Sequence, residues 1–296
     1  MIAALKYEWR RAITLRSTWW VFLLTAGASS FFTWVMYKTL TQEVRFSDGP
    51  QTALPHMSFA KIVNNIAGPY LLVTFIMSVF AAMSWGHEYR YGITRVTFTA
   101  FPRRIEVLLS KTIIVIVFTA VMWVGALIPS LLVLKLSDSK NLIRFDFSEV
   151  IDGTGLSPSP TGDGSVPIYT FRAYDFLVRS LVYAIVLCLI VAAISSLTRS
   201  LPIAVVLALV VPLFVERLLL MLASLGGNSL AWLNDVAPFA NGERFVTWTA
   251  GFDVTNNAGT SVVQHLTTPW QSGLVFGAWA VALSALAYLF LERRDT

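Results

Sequence analysis

The chain has 296 residues, 56% of them hydrophobic and only 13% charged, with a mean hydropathy of +0.66. Soluble domains carry about 25% charged residues, so this composition argues against a soluble enzyme and for an integral membrane protein. The net charge of +5 and pI near 9.4 do not point to nucleic acid, because the basic residues sit in short segments between apolar runs, where they mark cytoplasmic flanks and meet anionic lipid.

The chain opens with MIAALKYEWRRAITLRS, in which Ile2, Leu5, Trp9 and Ile13 recur every three or four residues and Lys6, Arg10 and Arg11 fall largely on another face. This pattern predicts a helix over 1–17 lying in the inner membrane interface, with a disordered basic leader as the alternative. A spanning helix needs about 20 mostly apolar residues. Six stretches qualify: Trp19–Tyr37, Ala67–Trp85, Thr112–Leu134, Phe176–Leu197, Leu201–Leu222 and Ser272–Leu291. The first is too aromatic for a removed signal peptide and reads as a retained span. The aromatic residues Trp19, Trp20, Phe31, Phe32 and Trp34 suit packing and interface anchoring, or the lining of an apolar path.

With the N terminus inside, the short inner segments hold Lys6, Arg10, Arg11, Arg16, Arg90, Arg95, Arg103, Arg104, Lys111, Arg199, Arg293 and Arg294. The longer outer segments hold Lys38, Arg45, Lys61, Lys135, Lys140, Arg144, Arg172 and Arg244. That asymmetry places both termini in the cytoplasm. The outer loops cover 136–174 and 223–271. In the first, DGTGLSPSPTGDGSVP reads as a flexible turn-rich loop; in the second, SLAWLNDVAPFANGERFVTW predicts short interfacial or re-entrant helices broken at Pro238 and Gly242. The expected fold is therefore all-α and integral to the membrane, one domain over 1–296 with six spans.

Catalytic constellations are scarce. His56, His87 and His265 have neither metal-ligand spacing nor neighbouring carboxylate clusters, and no G-x-x-x-x-G-K-[ST] occurs. Cys188 is the single cysteine, so no intramolecular disulfide forms, and its place inside an apolar run suggests packing. The clear intramembrane charges are Glu216 and Arg217, roughly 22 Å along a hydrocarbon core about 30 Å thick, in the outer leaflet. Adjacent helical residues point about 100° apart, so the expected partner of Glu216 is Arg179, at similar depth in span four, with Arg217 snorkelling outward. The alternative is that span five ends early and both charges face water. Pro212, four residues before Glu216, frees the carbonyl of Ala208 and marks a possible kink.

Between spans two and three, residues 88–111 read EYRYGITRVTFTAFPRRIEVLLSK. Gly92 interrupts helix and Pro102 disfavours it at Phe101, while Tyr91, Val96, Phe98 and Phe101 are apolar groups that need a surface, whether lipid or protein. This segment resembles the corresponding loop of bacterial ABC exporter permeases of type 2, particularly actinobacterial-like ones. Glu88, Tyr89, Arg90, Gly92, Arg95, Thr97, Pro102, Arg103, Arg104 and Lys111 follow the family's order. It departs in reading Gly92-Ile93-Thr94 where Gly-Thr-apolar is usual, and Phe98 where Leu is usual. The N-terminal interfacial helix, six spans and APFANG after span five extend the likeness over nearly the whole chain, with 88–111 its specific part.

The resemblance implies a transport subunit rather than an enzyme, in a bacterial plasma membrane. Segment 86–111 becomes a coupling segment, in which Glu88 to Arg95, including Tyr91 and Thr94, contact a cytoplasmic ABC ATPase and Pro102 to Lys111 orient span three. Two permease chains, identical or sibling, and two ATPase subunits make the working unit. ATP and Mg belong to the ATPase, and this chain holds no cofactor. The implied cargo is amphipathic: an antibiotic, peptide or lipid. The rival readings are a non-transporting anchor or sensor that recruits an ATPase, and a lipid-modifying membrane enzyme.

Overall fold

The computed structural model describes residues 1–46, 57–100, 104–138, 143–148, 150–151, 171–225, 232–247, 254–255, 261–262 and 269–294. Described residues are overwhelmingly helical. Helix α1 (Ile2–Thr14) is followed by α2 (Arg16–Phe46), α3 (Phe59–Arg90), the short α4 (Ile93–Ala100), α5 (Arg104–Ser137) and α6 (Ala173–Thr198). Next come α7 (Leu201–Val210), a π-helical turn (Val211–Val215), α8 (Glu216–Leu225), α9 (Trp232–Val236), α10 (Pro238–Thr247) and α11 (Pro269–Arg294). Three pairs of two-residue strands complete the described structure: Met57–Ser58 runs parallel to Ile143–Arg144, while Val150–Ile151 pairs antiparallel with Phe171–Arg172 and Val254–Thr255 with Ser261–Val262.

Among the described residues, five segments are long and apolar enough to cross a membrane: Arg16–Thr39, Ile105–Ser137, Ala173–Thr198, Leu201–Ala223 and Pro269–Leu291. The chain is thus a multi-pass membrane protein by the length and composition of its helices. Helix α3 runs alongside them for 32 residues and packs on α2, α5 and α6. At 1.5 Å per residue the 31 residues of α2 reach about 46 Å, well past the apolar stretch that ends at Tyr37.

Helix α6 is the centre. Its most apolar stretch is 56% buried, against 22–33% for the other four segments, and it packs on α3, α5, α7, α10 and α11. Its buried side is rich in small residues, Ala184, Cys188, Ala192, Ser195 and Ser196, which let neighbours approach closely. In an apolar surround, hydroxyls must find partners locally: Thr25 and Thr33 donate to carbonyls of their own helix, Ser195 Oγ donates to the Ala82 carbonyl of α3 at 2.8 Å, and Ser29 meets Ser130 across α2 and α5 at 2.7 Å.

Of the two breaks expected in the second loop, the one at Pro238 is present, since α9 ends at Val236 and Pro238 opens α10, as suits a residue without an N–H; the one at Gly242 is not. Gly242 lies inside α10, where a Cβ would stand 2.8 Å from the Tyr183 ring and 3.2 Å from that of Phe276; it is required by close packing and does not end the helix. The loop segment 152–167 lies outside the described residues.

Candidate functional site

One end of the bundle, here the proximal end, gathers α1, the close of α3, α4 and the start of α5. Helix α1 turns Ala4, Glu8 and Ala12 inward, a stripe at four-residue spacing that packs on α5. Small residues allow the approach, and the acid at their centre needs a partner. Lys111, 1% exposed, supplies it: its Nζ lies 2.8 Å from Glu8 Oε1 and donates to Glu88 Oε1 at 2.7 Å and to the Ser84 carbonyl at 3.3 Å. Arg11 Nη1 donates to Glu88 Oε1 and lies 3.5 Å from Glu8 Oε2. Two carboxylates and two cations thus form a neutral cluster in which Glu8, Glu88 and Lys111 are almost dry. Deleting one member of such a buried pair leaves an uncompensated charge, a loss of about 3–5 kcal/mol.

Aromatic rings extend the cluster. The Lys111 ammonium stands 5.1 Å from the Trp85 ring, Trp85 stacks on Tyr89 at 6.3 Å, and the Arg199 guanidinium sits 5.5 Å over the other ring of that stack. Two cations thus bracket a pair of stacked rings from α5 through α3 to the end of α6, each cation–ring contact adding about 0.5–2 kcal/mol.

Four residues after Glu88 the chain turns sharply. Gly92 adopts φ +67°, a left-handed conformation that L side chains resist, although a Cβ there would meet nothing within 4 Å. Backbone conformation, and not space, requires glycine. The turn launches α4, whose Ile93, Val96 and Ala100 fall on one helical face by spacing; Thr97 is buried and donates to the Ile93 carbonyl at 3.2 Å. Tyr91 is exposed and meets the ring of His87 edge-on at 6.1 Å.

Of the sequence-predicted coupling residues, then, Glu88 points into the buried cluster and Tyr89 into the ring stack, whereas Tyr91 faces outward. For Arg90, Thr94, Arg95 and Arg104 the backbone alone is described, and Pro102 and Arg103 lie outside the described residues. Sequence reading missed the union of Glu8, Arg11, Glu88 and Lys111. The available signal was an acid set between alanines on α1 and a lysine just before the apolar run of α5.

The opposite, distal end carries Glu216, Arg217 and Arg179. Glu216 does not take Arg179 as its partner. Its Oε2 accepts the Phe239 N–H at 3.1 Å and its Oε1 the Ala240 N–H at 2.5 Å. Both amides belong to the first turn of α10, where N–H groups lack intrahelical partners and the helix dipole attracts an anion, so a carboxylate there gains about 0.5–2 kcal/mol. Arg179 Nη1 donates to the Phe245 carbonyl at 3.4 Å and its Nε to the Asp175 carbonyl at 3.3 Å. Arg217 points outward as the sequence suggested, and its Nη2 grips Glu243 at 2.7 and 2.8 Å.

Asn241 ties α9 to α10. Its amide donates to the carbonyls of Asn234, Asp235 and Ala237, and Arg244 adds a bond to Asn234 at 2.9 Å. Burial lowers the pKa of Arg244, with Asp235, Glu216 and Glu243 opposing that shift.

No family model matches the chain, and comparison with curated proteins finds no match.

Proposed function

We propose that the chain is the membrane-spanning permease subunit of an ATP-driven exporter, with α4 as the element that engages a separate ATPase. The observation that carries this reading is the proximal connector. A left-handed glycine launches a short helix, α4, from a mount formed by buried charges on three other segments. A connector that merely joined two spans would need no such mount, whereas a helix that transmits force to α3 and α5 does. The likeness of 88–111 to the coupling loops of type 2 exporter permeases adds to it.

In this reading α3 is the sixth span, both termini lie in the cytoplasm of a bacterial cell, and α1 rests in the inner leaflet. Two such chains, identical or sibling, pair with two ATPase subunits that hold ATP and Mg. ATP-driven closure of the ATPase pair pushes α4; the push passes into the ends of α3 and α5 and tilts the bundles about their shared face. An amphipathic cargo, such as a lipid, a peptide or an antibiotic, follows the apolar surface so exposed. Glu216 and Arg217 tie span five to α10, so tilting of that span carries the distal helices with it.

The test is to purify the chain from its native cells through a C-terminal tag in mild detergent and identify its companions by mass spectrometry. The expected companion is a near-stoichiometric ATP-binding subunit. Gly92→Val and Arg95→Glu should weaken its retention about ten- to a hundredfold, the usual effect of removing one strong interface contact, while membrane insertion is unchanged. Absence of an ATPase under several mild extractions, or its full retention in both variants, would overturn the assignment.

A further inference from the structure

We propose that the proximal charge cluster is a detachable lock, through which α1 leaves and returns as an electrically neutral unit while the rest of the bundle stays paired. The cluster divides evenly. Helix α1 contributes one acid and one base, Glu8 and Arg11, which lie 3.5 Å apart at i, i+3. The bundle contributes the other acid and base, Glu88 and Lys111, joined at 2.7 Å across α3 and α5. Each half therefore satisfies its own charge if the two separate, and α1 undocks without stranding a buried ion. A cluster built only for rigidity has no need of that symmetry.

Helix α1 also has somewhere to go. Ile2, Trp9 and Ile13 are exposed on its outward side together with Lys6 and Arg10. This is the pattern of a helix that lies on an anionic bilayer surface. Besides the cluster, α1 is held by an exposed ion pair from the Met1 amino group to Glu106, by packing of Ala4, Leu5 and Ala12, by the edge of the Trp9 ring against Phe118 at 5.3 Å, and by the Trp19 indole N–H, which donates to the Ile13 carbonyl at 2.9 Å. The exposed pair among these adds little, because solvent screens it. Docking would then be a balance between the lock and the lipid surface. Because Glu88 precedes Gly92 by four residues, the docked state stiffens the root of α4 and the undocked state frees it. That last consequence rests on the coupling role proposed for α4; the lock itself does not.

The test uses the full chain alone, in nanodiscs of mixed phosphatidylcholine and phosphatidylglycerol. In a Cys188→Ser background, spin labels at Tyr7 and Leu109, both exposed, report the distance from α1 to α5. Arg11→Gln leaves the docked cluster with an excess negative charge but the undocked bundle fully paired. It should therefore shift the distance distribution to longer values and leave the thermal unfolding midpoint within a few degrees of the parent. Glu88→Gln leaves Lys111 with Glu8 as its acid when α1 is docked and removes its bundle partner when α1 is undocked, and should lower the midpoint by about 10 °C. Glu88→Leu combined with Lys111→Met removes the bundle's charges together and should recover most of that loss. If Arg11→Gln lowers the midpoint as much as Glu88→Gln and leaves the distance unchanged, the cluster is a fixed structural joint and the proposal fails. Because no ATPase is present, this outcome is independent of whether the chain recruits one.

Discussion

Gly242 sets how closely α10 approaches the bundle. The Tyr183 ring that a Cβ would strike is fully buried and stacked on Phe276 at 5.2 Å, so it has nowhere to retreat. Alanine is the better helix former by about 1 kcal/mol, which favours substitution, but overpacking of a dense site costs about 1–3 kcal/mol. The clash wins. Gly242→Ala should lower stability by up to about 2 kcal/mol, read as a lower thermal midpoint in detergent and as faster amide exchange along α10. A raised midpoint would show that the ring yields freely. Nothing in the sequence signals this constraint: a glycine four residues after a proline, between two apolar runs, has the signature of a breaker, and only the packing of α6 and α11 against α10 reveals the closer role.

The π-helical turn between α7 and α8 carries Pro212 as its second residue. A proline in an α-helix lacks the N–H and presses its ring on the carbonyl four residues back, here Ala208, at about 3 kcal/mol. A wider turn absorbs one extra residue and relieves the contact; Glu216 N–H then reaches back to the Val211 carbonyl. Deleting Leu213 closes the turn to α-helix with the phase of α8 kept, so Glu216 stays on α10 but the clash returns. The deletion should lower the thermal midpoint, and adding Pro212→Ala to it should restore most of the loss. No restoration would mean that something other than the proline widens the turn. Periodicity and Pro212 made a helix with a disturbance legible in the sequence. The partner of Glu216 was not legible, because helix-end amides carry no side-chain signature, and a search among cations led to Arg179.

For the whole molecule, the order of helices puts Tyr91 and Ser148 beyond opposite ends of α5, a helix of 34 residues and about 51 Å. With both termini inside, a membrane-impermeant maleimide should label Ser148→Cys in intact cells of a Cys188→Ser background and reach Tyr91→Cys only after permeabilisation. The reverse pattern would invert the chain and put α4 out of reach of any cytoplasmic ATPase. Apolar length made the helical architecture readable from the sequence, and charge asymmetry gave its expected orientation. The proximal cluster was not readable, since Glu8 and Lys111 are 103 positions apart and no pattern within a helix links them. That separation also orders assembly. Glu8 and Arg11 leave the ribosome long before Glu88 and Lys111 exist, so throughout the making of the first two long helices α1 lacks the bundle's half of the cluster and has its own pair, its contact with α2 and the bilayer surface for support. Its seat is completed when the start of α5 arrives, which makes the docking of the first helix a late event in biogenesis and a natural checkpoint on correct insertion of the hairpin formed by α3 and α5.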